Sequence, residues 1–157
     1  MRLVIQRVKS AGISINKGEV RHMGAGLVVL FAASDTDTGD YSGHLIQKLA
    51  EKTAKIRIFS DAEGKMNLSA LDLGLSVMVV SQFTLFADTK KGNRPSFSAA
   101  AEPVFAEKIY NEYVDILRGY SWKEFLTGEF GAMMTVELTN DGPVTIIIDT
   151  KEWERGS

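Results

Sequence analysis

The sequence predicts a single α/β domain: a curved mixed sheet or partial barrel carrying two main helices. Three observations lead there. The chain has 157 residues, about one domain's worth. Its apolar residues alternate, or run continuously, in short stretches of strand length, while two longer segments repeat at helical spacing. Strands and helices do not alternate as regular βαβ units, which disfavours a doubly wound nucleotide-binding sheet.

Residues 2–9 read as a strand, with Leu3, Ile5 and Arg7 on one face and Val4, Gln6 and Val8 on the other. Ile13 and Ile15 continue the alternation into Asn16-Lys17-Gly18-Glu19, a hairpin turn, and a return strand follows from Val20 to Met23. Leu27 to Phe31 is a continuous apolar run of the kind a buried strand carries. The period then changes. Leu45, Ile46, Leu49, Ala50 and Ala54 predict a helix from about Tyr41 to Ala54, with Asp37 or Thr38 near its start as cap candidates.

Lys55 to Phe59 reads as a strand, Asp61-Ala62-Glu63-Gly64 as a turn, and 67–74 as irregular or a short helical turn. Leu75 to Phe86 reads as one long buried strand, its alternation setting Ser81 and Phe83 against Gln82 and Thr84. Thr89 to Ser98 is a polar, basic loop containing Lys90, Lys91 and Arg94. A second helix begins near Glu102-Pro103, where proline is tolerated in a first turn, and ends near Gly119. Two tail strands, about 133–139 and 144–149, flank an Asn140–Pro143 loop. Residues 1–150 make the domain, and 151–157 a frayed tail.

Composition narrows the function. The absence of cysteine removes disulfides, thiolate chemistry and Cys-ligated zinc, and fits a reducing compartment. No signal peptide is evident, and no apolar run reaches the roughly 20 residues of a membrane span, so the expected place is the cytoplasm. A net charge of −2 argues against coating duplex nucleic acid by bulk electrostatics, but not against gripping one RNA end locally.

Common catalytic devices are missing. The two histidines, His22 and His44, read as surface residues, and no nucleophile elbow occurs. Gly24-Ala25-Gly26 lacks the third glycine of a dinucleotide fingerprint, because Val29 stands there. Asp35, Asp37 and Asp40 fail as a calcium loop, since Ile46 occupies the position of the closing glutamate; they read as a solvated helix N-terminus. No metal or cofactor is expected. What is left is hydroxyls, one amide, backbone groups and a Gly-Pro loop, which must act by positioning and oriented N–H dipoles.

Ser81-Gln82-Phe83-Thr84-Leu85 and Asn140-Asp141-Gly142-Pro143-Val144-Thr145 resemble the two signature motifs of the D-aminoacyl-tRNA deacylases. Ile5-Gln6-Arg7-Val8, the stretch from Arg57 to Asn67, and Arg94-Pro95-Ser96-Phe97-Ser98 are similar to the same family, so the likeness spans nearly the whole chain. The resemblance implies a homodimeric enzyme that hydrolyses the ester between a D-amino acid and the 3′ end of tRNA. It implies a cis Gly142-Pro143 peptide that reaches across the subunit interface to the partner's Ser81, Gln82, Phe83 and Thr84. Arg7 braces that loop, and Asn140 supports it.

Enantiomers carry the same groups, so only a rigid asymmetric surface separates them. The Gly142 carbonyl and its neighbour would accept hydrogen bonds from the α-ammonium and fill the space an L side chain needs. Glycine has nothing to clash, so glycyl-tRNA mischarged on tRNA(Ala) is expected to be cleaved as well. Backbone N–H groups at Phe83 and Thr84 are candidates to stabilise the oxyanion, Gln82 to orient the substrate, and Phe83 to stack on the terminal adenine. Attack by Thr84, by water, or by water assisted from the substrate 2′-hydroxyl stays open, the last being favoured.

Blander readings stand beside these. Ser81–Thr84 alone would be a strand end whose hydroxyls cap the backbone, Asn140–Pro143 a hairpin turn with trans proline, and Arg7 a half-exposed strand residue. The basic loop reads equally as unpartnered or as an RNA contact. Two other functions also fit: a small-ester hydrolase independent of tRNA, and a non-catalytic module that binds a tRNA end.

Overall fold

The computed structural model describes residues 1–37 and 43–154. The long alternating segment at the start forms β1 (Arg2–Ile15). Asn16 and Lys17 follow with φ of 51° and 60°, the left-handed pair of a two-residue hairpin turn, and return the chain into β2 (Arg21–Met23). β3 (Gly26–Ala32) pairs antiparallel with β1. A Cβ on Gly26 would stand 1.8 Å from the Ser76 carbonyl oxygen, so only glycine lets β3 begin this close to its neighbour.

α1 (Gly43–Lys55) follows a 3₁₀ turn at Asp35–Asp37. β4 (Phe59–Ser60) and β5 (Met66–Leu68) make a small separate hairpin. β6 (Ser76–Ser81) runs parallel to β3 and precedes a second 3₁₀ turn at Phe83–Phe86. α2 (Pro103–Arg118) starts with the Glu102 carboxylate accepting from the Phe105 N–H. β7 (Phe125–Thr127) runs parallel to β6, and β8 (Met134–Asp149) lies antiparallel along the whole of β1. α3 (Lys151–Glu154) ends the described chain.

The main sheet has the order β2-β1-β3-β6-β7, with β8 also on β1. On one face Leu3, Ile5, Leu27, Val29, Phe31, Val77 and Val79 are buried against Ile46, Leu49 and Ala50 of α1 and Ile109, Tyr110, Tyr113 and Leu117 of α2. The opposite face carries no helix, yet Val8, Ala11, Ile13, Met23, Val28, Met78 and Val80 are buried there too, packed by strand residues alone. A sheet buries such a face without helices only by curling over itself. The mixed α/β class and the nearly closed barrel therefore match the expectation, with α3 as a third, short helix.

Local readings needed correction. The expected strand over 75–86 stops at Ser81, because the Phe31 carbonyl takes the Gln82 N–H at 2.7 Å and the chain turns. The two tail strands are one, since β1 offers a template long enough to carry β8 past the Asn140–Pro143 segment with only a local register shift. Of the strand expected over 55–59, only Phe59 is extended; Lys55 still belongs to α1.

Asp37 is buried rather than solvated: its carboxylate holds the Met1 ammonium at 2.7 Å and accepts from the Ser34 N–H at the same distance. The cap candidate Thr38, Asp40 of the acidic cluster and the helix start at Tyr41 lie outside the described residues. The tail expected to fray is helical as far as Glu154, with Trp153 packed on the core under the Lys48 ammonium; residues 155–157 lie outside the described residues.

Candidate active site

Ser81 ends β6 in register with Phe31, at the mouth of the curled sheet. Beyond it the chain turns within one residue, and two anchors hold the turn. The Gln82 N–H donates to the Phe31 carbonyl at 2.7 Å, and the Arg2 guanidinium donates to the Leu85 carbonyl at 2.7 Å. Arg2 is itself gripped twice by Asp149, at 2.7 and 3.0 Å, and lies over the Phe86 ring. Sequence reasoning missed Arg2: its partners are 83 and 147 residues away, beyond the reach of any local pattern.

Because the turn is helical, Phe83 and Thr84 do not alternate across a strand. Both point outward, and Phe83 is 56% exposed. Its one aromatic neighbour among the described residues is Phe97, edge-on with ring centroids 5.2 Å apart. The N–H groups of Phe83 and Thr84 donate to no acceptor among the described residues, as first-turn groups of a helix do unless a cap or ligand takes them. The half-buried Ser81 hydroxyl is likewise unpartnered among them. The Thr84 hydroxyl accepts from the Gln82 side-chain amide, a donor that cannot take a proton away.

A cleft of about 280 Å³ opens beside the turn, lined by Val80, Ser81, Gln82 and Phe83 on one side and by 130–134 and Val136 on the other. This second wall, Phe130-Gly131-Ala132-Met133-Met134, was not anticipated; its only signal was a glycine-containing apolar stretch before a strand. No titratable side chain among the described residues lines the cleft. Behind it, Tyr110 donates to the Val79 carbonyl at 3.1 Å and contacts the Phe130 ring; burial pushes its hydroxyl up to about 12, so it remains a neutral donor.

The second motif is a kink within β8. Gly142-Pro143 is a cis peptide and both residues are exposed. The Asn140 side chain spans the kink: its carbonyl accepts from the Val144 N–H at 2.8 Å and its amide reaches the Thr145 hydroxyl at 3.3 Å. From behind, Arg7 donates to the Asp141 carbonyl at 2.9 Å and to the Ile58 carbonyl at 2.6 Å, with its side chain only 12% exposed. Gly142 has φ of 133°, and an added Cβ would meet Val144 at 2.8 Å and the Arg7 guanidinium at 2.9 Å. Asn140–Pro143 is therefore not a hairpin turn, its proline is not trans, and Arg7 is not a half-exposed strand residue.

The two motifs do not meet within one chain. Ser81 pairs with Phe31, Phe31 with Leu3, and Leu3 with Ile148, whereas Arg7 sits behind the Gly142 kink. Along the sheet that is three strand spacings, about 14 Å, and four residues of β1, about 13 Å. No residue of 140–145 lines the cleft.

Comparison with known proteins identifies the family and agrees with the fold. The sequence pattern of the D-Tyr-tRNA(Tyr) deacylase family matches residues 4–149. A D-aminoacyl-tRNA deacylase of Chloroflexus aurantiacus is 50% identical over 97% of this chain and 92% of its own length. One from Herpetosiphon aurantiacus is 46% identical over 99% of both. Among solved structures, a c-Myc DNA Unwinding Element Binding Protein superposes with a TM-score of 0.84 at 35% identity, over 95% of this chain and 98% of that one. A probable eukaryotic D-amino acid tRNA deacylase gives 0.83 over 94% and 98%, and at 15% identity it speaks for the fold alone. The chain belongs to the D-Tyr-tRNA(Tyr) deacylase family and is a hydrolase, a D-aminoacyl-tRNA deacylase.

Proposed function

We propose that the cleft beside Ser81–Thr84 receives the 3′-terminal adenosine of a tRNA with its aminoacyl ester, and that a second copy of the chain completes it with Gly142-Pro143. The separation of the two motifs supports this reading. Each is exposed and firmly braced, yet one chain cannot bring them together, whereas a two-fold pair can use both twice. The active site then lies at the interface of a homodimer.

In that site the partner's Gly142 carbonyl faces the substrate α-carbon and excludes an L side chain, while a D side chain points to solvent. Glycyl-tRNA mischarged on tRNA(Ala) carries nothing to exclude and is cleaved too. Arg7 and Asn140 position this surface from behind. The free N–H groups of Phe83 and Thr84 stabilise the developing oxyanion, Gln82 orients the ester, and Phe83 stacks on the adenine. Water attacks with help from the ribose 2′-hydroxyl, since the Thr84 hydroxyl faces an amide donor and has no base. No metal or cofactor takes part. Charged tRNA is found in the cytoplasm, and the chain works there.

Family membership sets aside the non-catalytic reading. The small-ester reading predicts that D-tyrosine ethyl ester is cleaved as well as D-tyrosyl-tRNA. Incubation with D-tyrosyl-, L-tyrosyl- and glycyl-tRNA alongside that ester decides: hydrolysis of only the first and third supports the proposal, and equal cleavage of both enantiomers ends it. At tRNA concentrations below KM, an equal mixture of two impaired variants, one altered at Phe83 and one at Gly142, should exceed either alone and approach about a quarter of wild-type activity if sites are shared between copies.

A further inference from the structure

We propose that the loop from Asp88 to Ser96 is a phosphodiester clamp for the single-stranded 3′ end of the substrate RNA, with Lys90, Lys91 and Arg94 as its anion-binding groups. This rests on the reading of the adjoining cleft as the seat of the terminal adenosine, and it names what holds the nucleotides before it.

The loop is built rather than loose. Asp88 and Ser96 close its neck with two backbone hydrogen bonds, 2.7 and 2.9 Å, and the Asp88 carboxylate accepts from the Lys90 N–H at 2.9 Å. Both of its ends are tied to the candidate site. Asp88 comes two residues after the 3₁₀ turn that carries Phe83 and Thr84, and Phe97, next to Ser96, packs edge-on against Phe83. The cations are therefore held at a fixed place beside the aromatic ring that a terminal base would cover.

Their charge is unspent. Lys90, Lys91 and Arg94 are exposed, none forms an ion pair among the described residues, and with Asp88 and Ser96 they surround an open hollow of about 270 Å³. Three neighbouring positive charges repel one another, and in a chain of net charge −2 this concentration marks a local anion site rather than a general affinity for polyanions. An exposed aromatic face followed by basic groups is the order in which single-stranded RNA presents a base and then its backbone. The guanidinium of Arg94 suits a phosphate's paired oxygens. Apart from Phe97, which is engaged with Phe83, the loop has no large apolar side chain to anchor a protein partner.

The test compares the wild type with the triple variant Lys90→Ala/Lys91→Ala/Arg94→Ala. Uncharged tRNA binding is titrated at several salt concentrations. The proposal expects Kd to rise about ten- to hundredfold near 0.1 M salt and the log–log salt slope to flatten by about 2. It also expects kcat/KM for D-tyrosyl-tRNA, relative to that for 3′-O-(D-tyrosyl)adenosine, to fall at least tenfold, because the short ester lacks the phosphates. Equal Kd values and equal slopes would overturn it and leave the cations to an acidic protein. A wild type that binds tRNA through the loop but cleaves neither ester would refute the cleft reading while upholding the clamp. All three side chains are exposed, and matching melting curves confirm that the variant is folded.

Discussion

Arg7 Nε donates to the Asp141 carbonyl at 2.9 Å, while another nitrogen of the same guanidinium donates to the Ile58 carbonyl at 2.6 Å. One planar side chain thus ties the Gly142 kink to the segment entering the small hairpin. Arg7→Ala leaves two carbonyls without their donor, and about 2 kcal/mol of unfolding free energy should be lost, read by chemical denaturation. Arg7→Lys should recover little, because a single ammonium does not span two separate carbonyls as a fork does. The ratio of D- to L-tyrosyl-tRNA hydrolysis should fall in both variants.

Gly142→Ala tests the kink itself. The new methyl must adopt φ near 133° and meets Val144 and Arg7 below 3.0 Å, so it strains the backbone or displaces the brace. The expected loss is about 1–3 kcal/mol in stability, checked by denaturation, with a larger proportional fall in D-tyrosyl-tRNA hydrolysis under single-turnover conditions.

Thr84→Ala separates the mechanisms. The only partner of this hydroxyl among the described residues is the Gln82 amide, which donates to it. Removing it should leave kcat within about tenfold of wild type, whereas loss of a true nucleophile costs several orders of magnitude. Phe83→Ala should act chiefly on KM for tRNA, since base stacking contributes about 1–3 kcal/mol per base.

No titratable side chain among the described residues lines the cleft, and both histidines are exposed. His22→Gln and His44→Gln should leave kcat unchanged. The pH–rate profiles of both variants should superpose on that of the wild type.

Asp149 predicts the acid limb of stability. Burial alone would raise its carboxyl; the Arg2 hydrogen bond, the Lys151 N–H and the charges of Arg2 and the amino terminus outweigh this and hold it below the usual range. A depressed carboxylate stabilises the fold where it is ionised in both states and loses that contribution as protons bind the unfolded chain more readily. The contribution is complete above about pH 5 and fades as pH falls through and below about 4. Asp149→Asn should melt earlier than wild type at pH 7, and the two curves should converge in acid. The same variant frees Arg2, the donor to the Leu85 carbonyl, from one anchor, so the Leu85 and Ala87 N–H groups of the 83–86 turn should lose amide-exchange protection.

Much of this was readable from local sequence. The period-two pattern of Leu3 and Ile5, the Asn16-Lys17 turn and the helix start at Pro103 each carry their own signal. The two motifs carry a signal as stretches of sequence, but not the turn of one or the kink of the other. What escaped notice depended on distant partners. Gln82 to Phe86 is apolar enough to extend a strand, and it turns because Phe31 and Arg2 claim its backbone. Asn140–Pro143 has the composition of a loop, and it stays within β8 because the Asn140 side chain replaces lost ladder bonds and β1 continues on both sides. β7 is three residues long, too short for any period. Asp37 looked like a surface acid because its partner, the Met1 ammonium, is 36 residues away.

The pairing of β1 with β8 has a consequence for how the protein is made. Arg2 lies opposite Asp149, and the Thr150 N–H donates to the Met1 carbonyl at 2.9 Å, so the first strand of this domain to be synthesised waits for its last. Until then a fourteen-residue edge stands open to any stray strand. Synthesis at about 5–20 residues per second leaves it so for many seconds. During translation the nascent chain should be a client for whatever shields bare β-edges, and a ribosome stalled before β8 should release an aggregating fragment.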